Sequence, residues 1–159
     1  MTETSNLETP IDYQQLVEVI GDAVVVADAS GVIDLWNPAA ERLFGFTPAE
    51  ALGSSLDLII PERLRARHWA GFGKTMATEE TRYSHDVLRV PAVHKDRRAL
   101  SIAFTVGLLY GPQREVIGIA AVIRDETTRF AEEKNLRKRL AEIEGQAAVD
   151  PSRRGAGGG

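Results

Sequence analysis

The 159-residue chain contains no cysteine. That absence excludes disulfides, thiolate metal sites, thiol nucleophiles and any photochemistry that runs through a cysteine adduct. Long apolar runs are missing too. The longest, Ala23 to Ala27 and Val116 to Ile123, fall far short of the ~20 residues of a membrane-spanning helix. The polar start Thr2-Glu3-Thr4-Ser5-Asn6 has no signal-peptide character. A cytoplasmic location and no membrane partner are therefore expected. Excess charge of one sign is also lacking: 19 basic and 23 acidic residues leave a formal net charge of −4. Nucleic-acid binding needs a clustered basic face to meet phosphates, so no nucleic-acid partner is expected.

Catalytic parts are equally scarce. There is no Gly-rich loop ending in Lys-Ser or Lys-Thr and no Gly-x-Ser-x-Gly elbow. His68, His85 and His94 stand too far apart for a local metal-ligand pair, and the carboxylates are scattered. No enzymatic activity is expected.

What is present is the composition of a globular domain, 43% hydrophobic and 26% charged. Residues 1–10 read as a flexible leader. Residues 11–21 hold a short helix with Leu16, Val17 and Ile20 on one side. Asp22 to Asp28 and Val32 to Trp36 read as a hairpin turning at Ala29-Ser30-Gly31. Asn37-Pro38 starts a helix that ends at Gly45. Thr47-Pro48-Ala49-Glu50 starts another, as a capping box closed by Gly53. Pro61-Glu62 opens a longer helix to about Thr78, with Leu64, His68, Phe72 and Thr75 on one face. Strands then follow over Arg82–Val90, Leu100–Leu109 and Glu115–Arg124, turning at Lys95–Arg98 and Tyr110–Gln113. Two strands, short helices, then three strands imply an α+β fold, with one antiparallel sheet and helices on one side. Glu126 to Glu144 is predicted as a charged helix. Its Leu136, Leu140 and Ile143 either begin a coiled-coil seam or lie back on the domain. Gly145 is predicted to end it, leaving 145–159 as a flexible Gly-rich tail.

Asp22 to Asp125 resembles a PAS domain. The residues that carry the resemblance are Asp22-Ala23, Asp28-x-x-Gly31-x-Ile33 and Trp36-Asn37-Pro38-Ala39-Ala40-Glu41-Arg42-Leu43-Phe44-Gly45. Gly53, Pro61-Glu62, Gly118-Ile119 and Arg124-Asp125-Glu126-Thr127 continue it. The resemblance implies a bacterial sensor with a five-stranded antiparallel sheet, short helices on one side and a C-terminal signalling helix over residues 126–144.

Within that family the chain looks most like the haem-binding oxygen-sensor domains of rhizobial histidine kinases. His68 falls on the position of the axial haem ligand, and Lys74 and Arg82 fall where polar groups meet the propionates. Phe104 and Val106 fall on the gas side, and Phe72, Tyr83 and Leu88 complete the candidate contacts. The implied cofactor is haem b and the implied ligand a diatomic gas (O2, CO or NO). The residues support His68 independently, since an imidazole flanked by Leu64 and Phe72 would project into a lipophilic cavity. The other reading of His68 is a helix residue half in solvent.

One position departs from the oxygen sensors. Where they carry an arginine that donates to bound oxygen, this chain has Leu88, with Arg89 beside it on the alternate face of the strand unless a bulge intervenes. Leucine there favours CO or NO. Trp36 reads mainly as structural, Asn37 as a helix cap, Trp69 as core, and His85 and His94 as surface residues. Arg124 and Asp125 read as the joint between sheet and exit helix.

Two functional readings stand: a haem-based gas sensor, or a PAS dimerisation and protein-interaction module whose pocket is empty or holds another small molecule. Flavin binding is a weaker third. No kinase, cyclase or DNA-binding segment follows Gly145, so output is expected through a partner protein or an effector domain of a longer chain. A homodimer through Ile11–Ile20 and Glu126–Glu144 is the expected assembly.

Overall fold

The computed structural model describes residues 9–149, which fall into two units, one ending at Asp125 and one starting at Glu126. The expected leader lies outside the described residues up to position 8, as does the expected tail from position 150.

Local capping sets the first half of the larger unit. The Asp12 carboxylate accepts from the Gln15 amide and opens α1 (Tyr13–Val19). Strand β1 (Ala23–Asp28) turns into β2 (Ile33–Trp36) because Asp28 Oδ1 accepts from the amides of Ser30 and Val32, at 2.9 and 3.0 Å, while Gly31 takes φ 81°. Helix α2 (Pro38–Phe44) starts on Asn37 and stops at the left-handed Gly45. Helix α3 (Pro48–Ala51) carries the full Thr47–Glu50 capping box. Short 3-10 turns at Leu56–Ile59 and Glu62–Leu64 lead into α4 (Arg65–Thr78).

Strands β3 (Leu88–Val93), β4 (Ala99–Tyr110) and β5 (Val116–Asp125) complete a five-stranded antiparallel sheet in the order β2-β1-β5-β4-β3. Its covered face packs Ile33, Trp36, Leu100, Ile102 and Ile123 against Phe44 and Ile59. Trp36 is buried there, with its indole N–H donating to the Phe46 carbonyl, a structural role as the sequence indicated.

Asn37 does more than cap. Its residue is only 3% exposed. Its Oδ1 accepts from the amides of Val24 (2.8 Å) and Ala40 (3.0 Å), and its Nδ2 donates to the carbonyls of Val17 (3.0 Å) and Asp22 (3.1 Å). One side chain thus ties α1, β1 and α2 together. Arg124 pairs at 3.1 Å with Asp22, so the sheet's exit is joined to its entry.

The boundaries that differ most from the sequence reading are the start of β3 and the end of the C-terminal helix. The strand expected from Arg82 begins only at Leu88; residues Arg82–Ser84 form a 3-10 turn whose Tyr83 amide donates to the Thr81 hydroxyl. That local side-chain bond competes with the ladder, and Ser84-His85-Asp86 supplies no apolar face to restore it. The C-terminal helix α5 (Thr127–Val149) runs through Gly145 instead of ending there. A mid-helix glycine costs only ~1 kcal/mol, and the surrounding Ala, Glu and Gln are strong helix formers.

Asn37→Ala is expected to cost about 3 kcal/mol in urea unfolding, because it removes a cap worth about 1 kcal/mol and leaves buried amides and carbonyls unpaired. Asn37→Asp keeps the acceptor but cannot donate to Val17 and Asp22. It is expected to be destabilising as well, although aspartate is a good helix cap.

Candidate functional site

Between α4 and the covered face of the sheet lies a cavity of about 560 Å³, within the range of sites that enclose small organic ligands. The sheet supplies a greasy wall: Val25 from β1, Leu88 and Val90 from β3, Phe104 and Val106 from β4, and Ile123 from β5. Strand register explains which residues face inward. Leu88 lies opposite Phe104, Phe104 opposite Ile123, and Ile123 opposite Ala23, so these share one face. Arg89 lies opposite Ala103, which in turn faces Arg124, so its side chain belongs to the other face. The β3–β4 ladder has no register shift between Leu88 and Val93. Leu88 therefore belongs to the covered face, while Arg89, on the alternate face, still borders the cavity at the edge strand.

The opposite wall comes from Leu64, at the cap of α4, and from His68, Phe72 and Thr75 within it, which follow helical spacing onto the cavity side. Tyr83, half-buried after the 3-10 turn, also borders the cavity. Lys74 is exposed and takes no part in the lining. Six residues beyond His68, it sits about 120° around the helix from it. The Arg82 side chain lies outside the described residues.

The cation that does border the cavity from α4 is Arg67, which the sequence reading passed over. The signal was there in the four-residue row Arg67, Gly71, Thr75, but Gly71 has no side chain to mark it as inward-facing.

His68 carries the site's distinctive chemistry. Its Nδ1 is buried with no hydrogen-bond partner. Burial holds its pKa below the usual imidazole value, with the Asp57 carboxylate opposing the shift. The neutral ring therefore keeps one nitrogen lone pair free to act as acceptor or metal ligand. It stacks edge-on to Trp69 at 4.8 Å and lies 6.0 Å from Phe72. Trp69 borders no part of the cavity; its indole donates to Asp57 Oδ1 at 2.7 Å.

Among the described residues, no group of three or more His, Asp or Glu could hold a bare metal ion. A single imidazole suits a prosthetic group that brings its own remaining ligands, as haem does. The donor set and the apolar hollow fit that group.

The model of the PAS fold matches residues 11–125. The chain belongs to the PAS family. Like its relatives it is a sensory, signal-transducing domain. It is 42% identical over 55 residues to the sensor protein FixL of Bradyrhizobium diazoefficiens, a match covering 35% of this chain and 11% of that protein. It is 32% identical over 68 residues to the oxygen sensor protein DosP of Escherichia coli, covering 43% of this chain and 8% of that one. The PAS domain of a Colwellia psychrerythraea protein superposes with a TM-score of 0.65 at 21% identity, covering 73% of this chain and 95% of that one. The PAS domain thus spans only a small part of these curated relatives, and among the described residues no helix is long and apolar enough to cross a membrane.

The environment of His68 sets a pH dependence. In the unfolded chain this histidine titrates near 6.5; folded, its lower pKa means that fewer protons are bound. Stability is then complete above about 6.5 and is lost as the pH falls through the folded value. Glu50, lowered by its bond to Lys95, and Asp96, lowered by the Arg98 amide, act only below their ordinary 4.5 and 3.8. The urea midpoint is expected to fall between about pH 7 and pH 5, and His68→Phe to flatten that fall.

Proposed function

We propose that this PAS domain binds haem b through His68 and senses a diatomic gas. The observation that carries the reading is a half-buried imidazole on the wall of an apolar cavity, its Nδ1 buried without a hydrogen-bond partner. Similarity to an oxygen sensor protein and to FixL supports it.

When bound, haem supplies an iron with an open face for a diatomic ligand. The chain's residues do the rest. His68 offers a neutral nitrogen from α4, made available by desolvation. Phe72 packs beside it, and Leu88, Phe104 and Val106 exclude water from the sheet side. Arg67, beside His68, supplies a cation for carboxylates at the cavity edge, a role that the sequence reading gave to Lys74 and Arg82. On the covered face of the sheet, the cavity-lining side chains Val25, Leu88, Val90, Phe104, Val106 and Ile123 carry no hydrogen-bond donor. CO or NO is therefore favoured over O2, which gains more from a hydrogen bond.

The ligand's differential contacts with two states of the wall then bias the sheet, and through β5 the chain that continues into α5 and on to a partner protein or effector domain. A homodimer belongs to this reading. Ile11, Tyr13 and Val19 around α1, and Leu136, Leu140 and Ile143 of α5, are all exposed. The same exposed residues favour the second reading, a dimerisation and interaction module without haem.

Protein purified after haem supplementation is expected to show a Soret band that His68→Ala abolishes. A colourless wild type would sink the haem reading in favour of the interaction module. In the ferrous protein CO is expected to bind more readily than O2. Leu88→Gln, which places an amide donor on the sheet wall, is expected to raise O2 affinity relative to CO about tenfold, the worth of one hydrogen bond.

A further inference from the structure

The α4 helix forms one wall of the cavity, yet none of its residues is buried. Something other than deep packing must hold it over the sheet. The attachment converges on Trp69. Its indole N–H donates to Asp57 Oδ1 at 2.7 Å. Asp57 sits in the 3-10 turn Leu56–Ile59, and its carbonyl and that of Ile60, just after the turn, accept from the Arg65 guanidinium at 3.3 and 3.2 Å. The other side of the indole lies against the β1–β2 turn. A methyl group added at Gly31 would fall 2.2 Å from the Trp69 ring, closer than any real contact.

The two elements that grip Trp69 are themselves joined. The Leu56 amide donates to the Gly31 carbonyl at 3.0 Å, the Ile33 amide to the Ser54 carbonyl at 2.9 Å, and Val32 forms a bridge with Ser55. The indole is therefore seated in a prepared slot. His68 meets it edge-on, and Trp69 meets Phe72 at 5.2 Å, so the three rings form one cluster.

We propose that Trp69, tethered by Asp57 and seated on Gly31, is the positioning residue that fixes α4 over the sheet and aims His68 into the cavity. The link to a cofactor rests on the haem reading; the latch itself stands on contacts within the chain.

The test is amide hydrogen exchange on the full chain without added haem, read separately for α4 and for β4 with β5. Trp69→Phe and Asp57→Ala are expected to raise exchange across α4 about tenfold, the worth of a hydrogen bond to a charged acceptor, with the strands unchanged. Asp57→Asn keeps an acceptor for the indole and is expected to return α4 most of the way to wild type. Unchanged α4 exchange in Asp57→Ala overturns the latch, and that variant decides the matter alone should Trp69→Phe loosen the whole domain.

The same proteins are then titrated with haem. A weaker affinity by about tenfold in Asp57→Ala, restored in Asp57→Asn, supports the aiming of His68; equal affinity in all three overturns it. A wild type that takes up no haem removes the proposed function and leaves exchange to judge the latch.

Discussion

A sheet can keep a hollow beneath it only if whatever covers it is held at the edges and not packed down over the whole face. That constraint organises this domain. The shorter covering pieces are capped by side chains, Asp12 on α1, Asn37 on α2, the Thr47–Glu50 box on α3 and Ser55 on the following 3-10 turn, whereas α4 starts without a side-chain cap. Helices whose ends are satisfied locally do not need the sheet for that purpose. The core proper runs from Phe44, Ile33 and Trp36 to Leu100 and Ile102 of β4, and the cavity lies between α4 and the sheet. Asn37 is the point where these local solutions become a tertiary one, since its amide also ties α1 and the entry to β1.

Range in sequence decided what could be read in advance. The caps and the turn at Gly31 depend on neighbours two to four residues away, so residue types at fixed offsets announce them. The inward face of α4 was legible for a similar reason, because helical period alone puts Leu64, His68, Phe72 and Thr75 on one side. Leu88 against Arg89 needed one further fact, an unbroken ladder, which only pairing with β4 could supply. The PAS pattern itself was visible because its marker residues are those same caps, turns and glycines.

The parts that were not legible depend on distant partners or on small energies. Asn37 reads as a cap, and nothing near it in sequence signals that its amide reaches Val17 and Asp22. Lys74 was named from the family resemblance, while the glycine between Arg67 and Thr75 hides the row they share. Trp69 looked like ordinary core, since its partners Asp57 and Gly31 lie across two turns. The start of β3 and the passage of α5 through Gly145 turn on one hydroxyl contact and on about 1 kcal/mol of helix propensity.

A sensor must do more than hold its ligand; some element has to differ in energy between the occupied and empty states. The covalent and hydrogen-bonded route from the cavity wall is short. A ligand that displaces His68 presses on Trp69, and the indole has no slack against Gly31. The β1–β2 turn is held in turn by Leu56 and Ser55, so motion there is shared with β1. β1 pairs along its whole length with β5, from Ala23 opposite Ile123 to Asp28 opposite Gly118, and β5 ends at Asp125, just before α5 starts in sequence. The Arg124–Asp22 pair closes the same end of the sheet. Close-packed contacts of this kind shift between discrete arrangements and do not deform smoothly, so a displacement at His68 is passed along this route and not absorbed within it. The cavity wall that carries His68 and the strand that leads out of the domain are thus separated by one indole ring and one pair of strands.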